Sequence, residues 1–220
     1  MSEFVNIIEE YSDEGYHMYS KRISRSEWGN KQIAESYLNN YWLPNAEYEL
    51  KWRPIQHQIF VNLDSGLPKR VYAPGFEFLI GLGGCLFIKE EFDQLRVCLL
   101  ETGAKWLFIV ENTFGCGLKE PAFRMKYPAN ITWEQLNSGN FASSVMIEMI
   151  HKEYCVFGDI PCWGRYSANE YELPLHIVGY KPEFRSLFQE KFKMYEADRP
   201  QIAEHIPAEY MIDDKTTKAD

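Results

Sequence analysis

The 220-residue chain lacks nearly every short pattern that marks a known chemistry. It has no G-x-S-x-G elbow, no H-E-x-x-H and no C-x-x-C pair, which removes the familiar signatures of serine hydrolysis, zinc peptidases and zinc ribbons. The glycine run Gly81-Leu82-Gly83-Gly84 meets neither dinucleotide nor Walker spacing. The third position of G-x-G-x-x-G is Leu86, and no Gly-Lys-Ser/Thr closes the run. A tight turn or bulge is the expected use of these glycines. His17, His57, His151, His176 and His205 stand at no metal-ligand spacing, so neither a metal nor another cofactor is expected.

Long apolar runs are also missing. Nothing approaches the roughly 20 residues that span a bilayer, and the N-terminal MSEFVNIIEEYSDEG has no basic n-region or apolar h-region. Cysteine is sparse and unpatterned. Cys85, Cys98, Cys116, Cys155 and Cys162 make an odd set, mostly in apolar surroundings, which reads as free thiols in a reducing cytoplasm. Basic residues are outnumbered, 23 against 32 acids, for a net charge of -9. This balance disfavours nucleic acid and anionic membranes, and favours a cationic protein partner.

What is present supports one α+β domain over residues 1–212, a mixed and mostly antiparallel sheet with helices packed on it, followed by a disordered acidic tail at 213–220. A hydrophobic fraction of 45% with 15% aromatics supplies a core without disulfides or metals. Helical spacing appears at Phe4–Tyr11. It returns after a Ser24/Glu27 capping box at Ile33–Tyr41, where Pro44 stops it. Period-two alternation predicts strands at Tyr48–Trp52 and Ile59–Leu63, and Arg70–Tyr72 and Phe76–Ile80 continue the sheet on either side of a Pro74-Gly75 break. Lys89–Glu101 reads as an amphipathic helix stopped by Gly103, and Trp106–Val110 as a buried strand. Phe76–Val110 then forms either a right-handed parallel crossover or a helix laid over an antiparallel sheet. A short strand at Phe123–Tyr127, a Thr132-capped helix at Trp133–Leu136, a helix near Ser143–Ile150 and another from Pro182 to about Tyr195 complete the pattern.

The densest information lies in Tyr154–Lys181, where two apolar strands, Tyr154–Phe157 and Leu175–Val178, enclose a stretch of Gly, Trp, Tyr, Asp and Asn. Read as a loop over 158–172, this stretch is either a lid on the core or a binding surface. As a surface it offers Trp163, Arg165 and Tyr166 as anchors, with Asp159, Asn169 and Glu170 beside them. As the wall of a pocket, it offers Asp159 or His176 as acid or base and Arg165 as a clamp for an anionic substrate of a hydrolase-like enzyme.

The successions Val156-Phe157-Gly158-Asp159, Trp163-Gly164-Arg165-Tyr166-Ser167-Ala168-Asn169-Glu170 and Pro174 to Tyr180, following Ile131-Thr132-Trp133-Glu134-Gln135-Leu136, resemble a group of small bacterial cytosolic proteins with no assigned activity. Size, acidity and mixed architecture are similar, more loosely, to the immunity proteins that bacteria pair with polymorphic or contact-dependent toxins. That resemblance implies a non-enzymatic cytoplasmic protein that occludes a toxin's active surface. An enzyme with a pocket beside the loop and an adaptor subunit of a larger assembly are the alternatives.

Overall fold

The computed structural model describes residues 16, 31–61, 63, 71–83, 86–112, 123–138, 153–170 and 173–206. The expected helices at 4–11 and 143–150, the Ser24/Glu27 box, Arg70, Cys85, the loop holding Cys116, His17, His151, Tyr171 and the 213–220 tail lie outside them.

Helix α1 (Lys31–Tyr41) ends before Pro44. A short α2 (Asn45–Glu47) passes through a π-helical turn (Tyr48–Trp52) into α3 (Arg53–Ile59). Strand β1 (Glu77–Leu82) is followed by α4 (Lys89–Glu101), β2 (Trp106–Asn112), β3 (Arg124–Pro128) and α5 (Trp133–Leu136). Then come β4 (Glu153–Gly158), β5 (Trp163–Glu170) and β6 (Leu173–Tyr180), with α6 (Arg185–Lys191), a 3-10 segment (Lys193–Asp198) and α7 (Arg199–His205) closing the described chain.

The six strands form one sheet in the order β1-β6-β5-β4-β2-β3, and every neighbouring pair is antiparallel. The architecture is α+β, as the sequence predicts. Helices cover both faces. On one, Leu107, Ile109, Val156, Trp163, Val178 and Tyr180 meet Phe92, Leu95 and Leu99 of α4 and Phe188 of α6. On the other, Phe108, Val110, Phe157, Tyr166 and Ile177 meet Tyr48, Ile59, Phe60, Tyr72 and Ile202. A sheet buried on both sides needs apolar residues at successive positions, which is why Leu107–Val110 reads as an unbroken apolar run. Full burial of each such side chain is worth about 1.5–3 kcal/mol.

Four expectations change. Tyr48–Trp52 is helical, because Tyr48, Trp52, Ile55 and Ile59 repeat at the spacing of one helix face and Tyr48 Oη donates to Gln56 Oε1 at 2.7 Å, whereas Leu50, which the alternation set beside them, is 60% exposed. Of the strands expected at Ile59–Leu63 and Arg70–Tyr72, the described residues form a single bridge, Phe60↔Tyr72. The crossover exists in direction only: through four antiparallel steps β1 and β2 point the same way, but β6, β5 and β4 stand between them and no pair is parallel. The helix expected from Pro182 to Tyr195 is broken, with 3-10 turns at Pro182–Phe184 and Lys193–Asp198 on either side of α6.

Candidate functional site

The stretch read as a loop is the middle of the sheet. After a tight turn at Asp159–Cys162, Trp163–Glu170 is β5, paired with β4 on one side and β6 on the other. Its alternation sends Trp163 and Arg165 to the α4 face, and Gly164 and Tyr166 to the other. Trp163, Arg165 and Tyr166 are each 0% exposed, so none of them is an anchor on the surface of this chain. Gly164 is part of the same packing: a Cβ there would lie 2.5 Å from the Phe60 ring.

Arg165 carries its charge into the core because α4 delivers a carboxylate to it. Glu91, in the first turn of α4, accepts from Arg165 Nε at 3.0 Å on Oε1 and from NH2 at 3.2 Å on Oε2, a bidentate fork. Oε1 also meets His176 Nδ1 at 3.1 Å and accepts from Tyr195 Oη. Arg165 NH1 donates to Ser167 Oγ at 3.0 Å, and the Phe87 ring lies 4.7 Å from the guanidinium carbon. Burial pushes the Glu91 carboxyl up, but the charges of Arg165 and His176 and the bonds from His176 and Tyr195 outweigh it and hold the group at about 2. Burial and the adjacent Glu91 charge raise the Tyr195 phenol well above its ordinary value.

Glycines 81 and 83 are shaped by this cluster and form no bulge. A Cβ on Gly81 would sit 2.3 Å from Tyr195 Cδ1, and one on Gly83 would sit 2.0 Å from His176 Nε2. Gly81 is a regular residue of β1, opposite His176. The close approach of other side chains selects glycine here. It also seals the imidazole. One ring nitrogen of His176 faces Glu91 and the other lies against Gly83, while Arg165 spends its fork on Glu91.

A second polar knot lies on the opposite face. Tyr166 Oη bonds with Glu153 Oε2 and with the Leu63 carbonyl at 3.0 Å, and Asn112 Nδ2 donates to Tyr166 Oη at 2.8 Å and Leu63 O at 3.1 Å. Asp159, partly exposed, accepts from the backbone N–H groups of Lys105 and Trp106 at 2.8 and 3.2 Å, and so fixes the start of β2. Asn169 and Glu170 lie at the far end of β5, opposite Pro174 and Leu173. The six residues expected to form one surface are thus spread over two faces and both ends of the sheet.

The thiols are equally committed. Burial pushes Cys98 up to about 12 and Cys162 up to about 11, and raises buried Cys155 as well, which leaves little nucleophilic thiolate at any of the three. Among the described residues no group of three or more His, Cys, Asp or Glu side chains is arranged to hold a metal, and no helix is long and apolar enough to cross a membrane. An open cleft of about 430 Å³ lies elsewhere, beside α1, lined by Gln32, Ser36, Asn40, Tyr41, Gln135 and Ser138 among others.

Alternation within Trp163-Gly164-Arg165-Tyr166 could have marked a strand, but an arginine reads as solvent-facing until its acid is found, and Glu91 lies far away in sequence. A scan against known protein families, a search of curated proteins and a search of solved structures each returned no match for this chain.

Proposed function

We propose that this chain is a non-enzymatic binding protein of the cytoplasm, of the immunity type that neutralises a cognate bacterial toxin by covering its active surface. The observation that carries the reading is the commitment of Glu91, Arg165, His176 and Tyr195 to one another inside the molecule, where they organise the core. The net charge of -9 suits a cationic partner.

With Trp163 and Tyr166 inside, the contact surface moves to the exposed end of the same stretch. Ile160 is 38% exposed and Leu100 47%, and both border Gly103: Leu100 O accepts from Gly103 N, and Ile160 Cδ1 lies 3.9 Å from where a Gly103 side chain would begin. Exposed Glu101 and partly exposed Asp159 supply the steering charge. The test is co-expression with the product of the adjacent reading frame, with affinity measured at low and moderate salt. A stoichiometric complex that weakens with salt is expected, and Leu100→Asp with Ile160→Asp should weaken it about a hundredfold without lowering the melting temperature. Unchanged affinity in that variant overturns the placement, and no complex at low salt overturns the binder.

A further inference from the structure

Four side chains from separate segments meet on the face of the sheet away from α4. Glu47 closes α2, and Trp52 closes the π-helical turn that follows. Five residues apart in a regular α-helix, the two would stand about 140° apart around the axis. The wider π turn carries them to one side, where Trp52 Nε1 donates to Glu47 Oε1 at 2.9 Å. Trp106 opens β2. Lys126 in β3 lies opposite Phe108, which sets its side chain diagonal to Trp106 on the same face. The Lys126 ammonium lies 4.4 Å from the centre of the Trp106 ring and 5.3 Å from that of Trp52, and it donates to Glu47 Oε1 at 2.7 Å. Phe108 backs the Trp52 ring at 4.5 Å. The Lys126 and Glu47 side chains are 22% and 24% exposed, so the cage opens to solvent.

Two indole rings and one carboxylate around a cation make a receptor that selects by charge and by a soft, weakly hydrated surface. Its present occupant shows the charge it takes but is not its best fit. A primary ammonium carries three N–H donors and holds water strongly. Here it meets one acceptor, Glu47 Oε1, and two ring faces. A quaternary ammonium has no N–H to satisfy, gives up less hydration and lays methyl groups on both rings. Its entry returns the Lys126 ammonium to water, a short motion for a long side chain at the rim. A second primary amine gains no such advantage over Lys126.

We propose that the cage of Trp52, Trp106 and Glu47 binds a quaternary ammonium group, with Lys126 as its displaceable internal occupant. The reading does not rest on the Leu100–Ile160 surface, because α4 covers one face of the sheet and Trp52 and Trp106 pack on the other. The experiment follows the indole N–H signals of Trp52 and Trp106 by NMR in the full chain, with isothermal titration, as choline, tetramethylammonium or a peptide carrying trimethyl-lysine is added at constant ionic strength. The controls are 3,3-dimethylbutanol, the neutral isostere of choline, and ethanolamine, its primary-amine counterpart. Saturable shifts of both signals are expected with the quaternary probes, and binding of the controls about tenfold weaker or less. Lys126→Ala, which vacates the cage, should tighten binding about tenfold, an effect that a purely structural lysine does not give. Lys126→Gln tests the same displacement if the alanine variant does not fold. Trp106→Leu should weaken binding about tenfold. A peptide that binds more tightly than choline supports the site with a modified protein as the source, and the reverse order supports it with a free small molecule. No saturable shift at tens of millimolar in wild type and in the Lys126 variant overturns the proposal. So does equal binding of the neutral isostere, unchanged affinity in Trp106→Leu, or weaker binding once Lys126 is removed.

Discussion

Replacing Glu91 by Gln probes the core directly. The side chain keeps its shape, but Arg165, wholly buried, loses the anion that balances it. Removing one partner of a buried pair typically costs about 3–5 kcal/mol. Linkage gives a similar figure: the carboxyl sits at about 2 in the folded chain against an ordinary 4.5, and at about 1.4 kcal/mol per pH unit this is worth on the order of 3 kcal/mol. For a chain of this size the corresponding fall in melting temperature is on the order of 10 °C. The sign follows from the depressed folded-state value. The contribution is complete above pH 4.5 and is lost as pH falls towards 2. Urea unfolding followed by tryptophan fluorescence, at pH 7 and again near pH 3, should therefore show a large gap between wild type and variant that narrows on acidification. The double change Glu91→Leu with Arg165→Met should recover much of the loss, since it removes both charges. A gap below about 1 kcal/mol at pH 7, or one that stays constant down to pH 3, would refute the assignment of Glu91 as the anion that keeps Arg165 inside.

Gly83→Ala should destabilise by about 3 kcal/mol or more, since its methyl group would overlap the His176 ring, whereas Gly75→Ala, with φ +89° but open space around it, should cost only about 1–2 kcal/mol; equal melting temperatures for the two variants would count against the close-approach argument. Asp198 Oδ2 accepts from Leu82 N at 2.8 Å on the outer side of β1, where the chain passes from Tyr195 on one face of the sheet to Ile202 on the other. Asp198→Ala should cost about 1 kcal/mol and increase concentration-dependent self-association by light scattering, because it uncovers part of a strand edge; a variant as monodisperse as wild type would show that Asp198 guards nothing.

The elements that sequence exposes well are those whose pattern is long and local. Lys89–Glu101 shows four turns of one apolar face and then Gly103, which takes φ +78°, and the helix ends where the pattern does. Thr132 with Gln135 likewise forms the expected short capped helix, with a full capping box. Short patterns were ambiguous, and Tyr48–Trp52 satisfied period two while folding at the helical period. The centre of the sheet was hidden for another reason. Arg165 looks like a surface residue, Ser167 and Asn169 look like loop residues, and Gly164 looks like a turn, until Glu91, Phe60 and His176 arrive from distant segments to pair with them or pack against them. Composition implied a sizeable core, but no local signal states that an arginine belongs in it.

The strand order carries a consequence for synthesis. The edge strand β1 leaves the ribosome early, yet among the described residues its only neighbour in the sheet is β6, one of the last strands to emerge. At about 5–20 residues per second, its apolar residues wait on the order of ten seconds for a partner. The hairpins β4-β5 and β5-β6 arrive last and insert between strands that are already made, so no stable sheet precedes them. A nascent chain stalled before Tyr180 would be a client for holding chaperones rather than a partly folded domain, and ribosome-bound intermediates of this protein should stay protease-sensitive until the final hairpin clears the exit tunnel.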